Sequence, residues 1–133
     1  MKAVVFTDGA CLGNPGPMGL GIHIRFSDGK ILNKSIPFGV GTNNVAEYSA
    51  LLKALELLRE HGVSEVEAFL DSQLVVKQVL GEWRVKDARL QELRNSVVAL
   101  SKSFSSFSVA HVPREQNGVA DALSKQAAEQ VST

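Results

Sequence analysis

The chain has one cysteine and one tryptophan among 133 residues, and its 14 basic side chains are balanced by 14 acidic ones. Cys11 cannot form an internal bridge, and no Cys/His spacing of the zinc type accompanies it, so a disulfide scaffold and a structural zinc site are both excluded. No apolar run approaches the roughly 20 residues that span a bilayer, and no lipidation motif or signal-peptide layout is present. A cytoplasmic protein without membrane attachment is the expectation. The absence of net charge excludes a field that would draw in polyanions from a distance; any nucleic-acid contact must be local. The length suits one domain over residues 1–133 with a sizeable core, without repeats, low-complexity tracts or a linker.

The periodicity is clear. Lys2 to Phe6 is apolar and β-branched, as in a strand buried on both faces, and it delivers Asp8 to the strand's end before a glycine-rich turn. Gly19–Phe26 alternates, Asp28-Gly29 is a hairpin signal, and Ile31–Phe38 resumes, so three antiparallel strands are predicted, with Pro37 marking an edge. The period then changes to 3.6. Thr42 or Asn43 is positioned to cap a helix through about Glu60, ended by His61-Gly62, with Leu51, Ala54, Leu55 and Leu58 along its apolar stripe. Val63–Leu70 reads as a fourth strand, parallel to the first because a helix intervenes. A short helix follows from Asp71-Ser72 to Gly81, Asp87 caps a helix to about Ser101, and Ser106–Val112 is a fifth strand stopped by Pro113. Asn117 is placed to cap a last helix with Ala120, Leu123, Ala127 and Val131 on one stripe. The prediction is an α/β fold: one five-stranded mixed sheet, its first three strands antiparallel, flanked by helices.

Four acids stand out. Asp8 beside Gly9 suits plain turn chemistry, Asp71 suits a helix N-cap, and Asp121 suits the dipole of the last helix's first turn. Glu47 is different. It lies four, seven, eight and eleven residues before Leu51, Ala54, Leu55 and Leu58, so the stripe that packs on the sheet carries a carboxylate. Buried without a partner, it would have to take up a proton or cost stability. Strands one and four as parallel neighbours bring Asp8 and Asp71 side by side. Two carboxylates about 4 Å apart repel by roughly 4 kcal/mol at an effective dielectric near 20. No lysine or arginine is sequence-adjacent to any of the four, so divalent metal held by hard oxygen ligands, magnesium or manganese, is the economical explanation.

With the acids come their surroundings: Thr7-Asp8-Gly9-Ala10, Gly13-Asn14-Pro15-Gly16, Thr42-Asn43-Asn44 with Glu47, Leu70-Asp71-Ser72-Gln73 and Ala120-Asp121-Ala122-Leu123. As a set, spread over nearly the whole chain, these resemble the type 1 ribonuclease H family. The resemblance implies a ribonuclease H-like fold and hydrolysis of the RNA strand of RNA/DNA hybrids by two Mg2+ ions, with Mn2+ as a substitute, leaving 3′-hydroxyl and 5′-phosphate ends. By matching position, it implies that Asp8 contacts both ions, that Glu47 and Asp71 complete one site, and that Asp121 completes the other. It further implies that Glu47 reads a 2′-hydroxyl, the group that separates RNA from DNA. Gly9, Asn14, Asn44 and Gln73 match substrate-contacting positions, and Thr42 a phosphate ligand. The resemblance implies a monomer with no obligate protein partner.

Two departures from the family pattern are visible. The long basic, tryptophan-rich insertion of some members is here reduced to Gly81–Asp87, where Trp83, Arg84 and Lys86 are left to meet a nucleic-acid backbone, Trp83 reading equally well as core. The family's histidine in a glycine-rich loop is matched in offset by His111, ten residues before Asp121, but on a strand-like run, so Arg114 is a second candidate for proton transfer or product release. His23 alternates within a strand and reads as structural. The Gly9, Gly13, Gly16 spacing leads into a strand and not a helix, which excludes a nucleotide-binding loop. Activity on double-stranded RNA, and a catalytically silent hybrid-binding module, are the alternatives.

Overall fold

The computed structural model of the chain describes residues 1–132. Its strands are β1 (Lys2–Cys11), β2 (Gly16–Phe26), β3 (Ile31–Gly41), β4 (Glu65–Leu70) and β5 (Ser106–His111), arranged β3-β2-β1-β4-β5. β1–β2 and β2–β3 are antiparallel, whereas β1–β4 and β4–β5 are parallel. The helices are α1 (Asn43–Glu60), α2 (Gln73–Val79), α3 (Ala88–Ser101) and α4 (Gly118–Ser132), with a single 3-10 turn at Arg114–Gln116. The predicted architecture is therefore present, with Pro37 on the edge strand. β3 runs three residues further than the alternation suggested because a bulge between Pro17 and Gly19 lets the ladder resume at Val40 and Gly41.

Burial follows the predicted stripe. Leu51, Ala54, Leu55 and Leu58 of α1 are all fully buried against Val5, Ile22, Ile24 and Val66 of the sheet, and each such leucine contributes about 1.5–3 kcal/mol by leaving water. α4 lies on the other face. Asp8 pairs with Gly21 in the ladder and Gly9 with Leu20, so the side chains of Asp8 and Gly21 share one face and Gly9 takes the opposite one. A Cβ at Gly21 would overlap the Ala120 carbonyl oxygen of α4, and a Cβ at Gly9 would overlap the Ala46–Glu47 backbone of α1. These two glycines let both helices come close enough for Glu47 and Asp121 to approach the end of β1.

Cap geometry differs from the sequence reading at two places. Ser72, not Asp71, caps α2, its hydroxyl accepting from Val75 N at 3.3 Å, which leaves the Asp71 carboxylate free of the helix. Asn117 precedes α4, but its Nδ2 donates to the Thr7 carbonyl of β1 at 2.9 Å and its Oδ1 caps nothing. The side chain instead ties the start of the last helix to the first strand.

Candidate active site

The β1–β4 pairing stops at Thr7 opposite Leu70, so Asp8 and Asp71 are the next residues on neighbouring strands; Asp8 does not close β1 as the sequence suggested, because β1 continues beside β2 to Cys11. Glu47 comes from the first turns of α1. One carboxylate oxygen from each of Asp8, Glu47 and Asp71 lies within 4.8 Å of the others. Asp8 and Glu47 are only 6% and 7% exposed, so neither charge is screened by water. Glu47 Oε1 accepts a very short hydrogen bond from the Gly9 amide, which fixes the glutamate against β1 just past the last residue that pairs with β4.

Burial, followed by hydrogen bonding to Glu47 and the negative charges of Glu47 and Asp71, pushes the Asp8 carboxyl up to about 10. Glu47 is also raised by burial, against the opposing effect of its hydrogen bonds from Asp8 and Gly9. In the absence of a cation the pair therefore keeps a proton at neutral pH. Three converging hard oxygens, two of them desolvated, fit a divalent cation of the magnesium or manganese type: an ion would displace that proton and cancel the repulsion.

Asp121 stands apart from this trio. It lies against Asp8 from α4, but Lys125 Nζ, one helical turn on, pairs with its Oδ2 at 3.1 Å. Burial pushes Asp121 up; the Lys125 bond, the Asp8 contact, and the charges of Lys125 and Arg114 outweigh it and hold the group below its ordinary value. Lys125 is not sequence-adjacent to Asp121 and so is not evident as its compensating cation from immediate neighbours. The i,i+4 spacing was the available signal. Ser124, fully buried on the same helix, donates to the Asp121 carbonyl at 2.8 Å and reaches Asp8 Oδ2 at 3.4 Å.

Asp8, Glu47 and Asp71, but not Asp121, open on a cleft of about 360 Å³ lined also by Gly9, Asn43, Ser72 and Arg114. Arg114 thus enters the cleft, whereas His111, exposed at the end of β5, does not line it. Beside it, a groove of about 550 Å³ brings together Asn14, Thr42, Asn44, Val45, Asp87, Arg89 and Leu90. Asn14 Oδ1 accepts from Asn43 N at 3.1 Å, and Thr42 caps α1 through Val45 N. Gln73, at the start of α2, and Lys86, on the connector before α3, are exposed outside both lining sets. Asn43, a candidate cap and motif residue in the sequence, Ser72, a motif residue, and Arg89 are not site candidates by sequence alone. The first two are neighbours of named residues, and Arg89 joins the groove only because Asp87 starts α3 there.

The fold defines a domain of the ribonuclease H-like class: residues 6–127 match the model of the reverse transcriptase-like family. The chain is 42% identical over 123 residues to ribonuclease HI of Halobacterium salinarum, covering 92% of this chain and 62% of that one. It is 37% identical over 129 residues to the bifunctional protein Rv2228c of Mycobacterium tuberculosis, covering 96% of this chain and 35% of that one. The crystal structure of RNase H1 from H. salinarum NRC-1 superposes with a TM-score of 0.93 at 39% identity, covering 98% of this chain and 99% of that one. LC11-RNase H1 in complex with RNA/DNA hybrid superposes with a TM-score of 0.90 at 36% identity, covering 98% and 99%. The chain belongs to the type 1 ribonuclease H family, as a compact member whose α2–α3 connection is the short stretch 80–87. It spans less than two thirds of the H. salinarum and M. tuberculosis relatives' length, 62% and 35%. Among the described residues no helix is long and apolar enough to cross a membrane.

Proposed function

We propose that the chain is a metal-dependent endonuclease that hydrolyses the RNA strand of RNA/DNA hybrids, with Mg2+ as the cofactor and Mn2+ as a substitute. The observation that carries this reading is the convergence of Asp8, Glu47 and Asp71, with Asp121 against Asp8, at the mouth of an open cleft. The similarity to LC11-RNase H1, solved with a hybrid, supports the substrate. In this reading Asp8, a member of the trio that also lies against Asp121, serves both ions, with Glu47 and Asp71 completing one site and Asp121 the other. When bound, the ions supply an activated water and a Lewis acid for in-line displacement, which leaves 3′-hydroxyl and 5′-phosphate ends.

The remaining work falls to the chain itself. Gly9 holds Glu47 toward the cleft, where the glutamate reads a 2′-hydroxyl. Asn14 and Asn44, in the adjoining groove, contact the hybrid's minor groove together with Gln73, Thr42 in the same groove takes a phosphate, and Lys86 meets the DNA backbone. Arg114, from the cleft wall, assists proton transfer or product release, the role for which His111, outside the lining, is the other candidate. Residues 1–133 act as one catalytic domain, monomeric and without an obligate protein partner. The unbridged Cys11 accords with a cytoplasmic setting.

The test is direct. Labelled hybrid, duplex RNA and duplex DNA are each incubated with Mg2+, with Mn2+ and with chelator. Product from the hybrid alone, and only with metal, is expected. Hybrid binding without product would replace this reading with a silent binding module, and equal cleavage of duplex RNA would remove the hybrid specificity.

A further inference from the structure

The connector between α2 and α3 holds two acids and two bases in a short span, yet their situations are opposite. Glu82 is taken up by Lys77 at 3.0 Å, and Asp87 is taken up as the cap of α3, accepting from Leu90 N at 3.0 Å. Arg84 and Lys86 are exposed, and among the described residues neither has a carboxylate within ion-pair distance. Trp83, the sole tryptophan, is 45% exposed between them and Leu80, so it is not the core residue that one reading of the sequence allowed. The connector thus presents two free cations and an aromatic face. It ends at Asp87, on the border of the groove that holds Asn14, Thr42 and Asn44.

What keeps so short a segment in this shape is a buried polar relay beneath it. The Tyr48 hydroxyl, on the residue after Glu47, donates to Gln78 Oε1 at 2.6 Å, and Gln78 Nε2 donates to the Arg84 carbonyl at 3.2 Å. Tyr48 is fully buried and Gln78 is 5% exposed. Gln91 Nε2 holds the next carbonyl, Val85 O, at 2.7 Å, and Val85 plugs into the core. The amides of Glu82 and Trp83 both bond to Lys77 O. A glutamine buried only for packing would leave its amide ends unpaired, at a cost; here each end joins a different element.

We infer that Gln78 is a positioning residue for nucleic-acid binding, locking the connector to the helix that carries Glu47 so that Trp83, Arg84 and Lys86 form a preset contact for a phosphodiester backbone. The inference rests on the hybrid-cleaving reading and deepens it. A segment already ordered pays little entropy on binding, so its cations need not be numerous. Arg84 and Lys86 neutralise phosphates through a few salt-sensitive contacts, and the Trp83 ring lies against sugar or base.

Because Trp83 is the sole tryptophan, its emission reports this segment alone. A short RNA/DNA hybrid is titrated into the protein in chelator, following both the anisotropy of labelled hybrid and Trp83 fluorescence. Binding is expected to change the emission. Gln78→Met keeps the volume and removes both hydrogen bonds; it should weaken hybrid binding and raise KM by roughly threefold to tenfold, with kcat within about twofold of the parent. Tyr48→Phe removes one bond and should act in the same direction to a smaller degree, which keeps the test valid if Gln78→Met does not fold. No hybrid binding by the parent protein would sink the functional reading itself. Binding by the parent with unchanged Trp83 emission, or unaltered affinity in folded Gln78 and Tyr48 variants, would overturn the inference and leave the active-site reading standing.

Discussion

The two sides of the candidate active site treat their acids in opposite ways. On the α1 side, Asp8 and Glu47 are buried beside Asp71, and burial pushes the Asp8 carboxyl up to about 10. On the α4 side, Asp121 is closer to water, and despite the upward push of what burial it has, Lys125 and Arg114 help hold it below its ordinary value. The same residue type is driven up chiefly by burial at one position and down by its neighbours at the other. Among the described residues, the buried half has no ion-pair partner for its acids, and the other carries a cation on its own helix.

The largest effect should come from the buried side. Asp8→Asn and Asp71→Asn are each expected to lower Mg2+-dependent cleavage by roughly three orders of magnitude or more. The metal-free fold should be retained, or made more stable at neutral pH, because like-charge repulsion is removed; cleavage near the parent rate in either variant would discard the assignment. Next in size is the helix contact that brings the two sides together. In Gly21→Ala the new Cβ meets the Ala120 carbonyl, and a loss of about 1–3 kcal/mol in denaturant unfolding is expected as α4 shifts off the sheet. An unchanged midpoint would show that α4 is not held at this distance.

The pH dependence separates the two sides by sign. Asp8 is raised from 3.8 to about 10, so the folded protein keeps a proton that the unfolded chain releases. Its stabilisation is complete below about 3.8 and fades as pH rises toward about 10. Asp121 is lowered, so its share is present at higher pH and is lost as pH falls through the acid range. Thermal unfolding of metal-free protein should therefore show a stability that declines from mildly acidic to alkaline pH, a slope that Asp8→Asn makes shallower, with buried Glu47 keeping the remainder. Added Mg2+ should abolish the decline and release protons, seen as a buffer-dependent heat in calorimetry; a buffer-independent heat would count against proton displacement. The smallest effect belongs to Lys125→Met, a pair exposed enough that about 0.5 kcal/mol or less of stability is at stake. Its loss should raise the pH at which Asp121 titrates, readable by carboxyl NMR; an unmoved titration would mean that Lys125 does not govern the acid.

Much of this was legible from residue patterns. Glu47 stood on a stripe with Leu51, Ala54, Leu55 and Leu58, and the structure buries all five on α1. Alternation and the Asp28-Gly29 turn predicted the antiparallel strands, and an intervening helix predicted the parallel β1–β4 pair that sets Asp8 beside Asp71. Other features were not legible because they depend on which way a polar side chain turns. Asp71 and Ser72 are both good caps, and only the local backbone gives that task to Ser72. Asn117 has a cap's position, but an open Thr7 carbonyl from the far end of the chain claims its amide. Trp83 is core-like in type, yet Val85 fills the core from the same short segment.

The order of residues alone determined the strands, the helices and the faces they bury, because the two backbone periodicities translate directly into which side chains leave water. It also placed a carboxylate on a face where none belongs without a cation. Only the folded chain decided that Asp121 would answer to Lys125, that Arg114 and not His111 would line the cleft, and that Gln78 would reach under the connector. Those outcomes turn on distances of a few ångströms between segments far apart in the chain, and hydrogen bonds and charges are sensitive at that scale where hydrophobic burial is not.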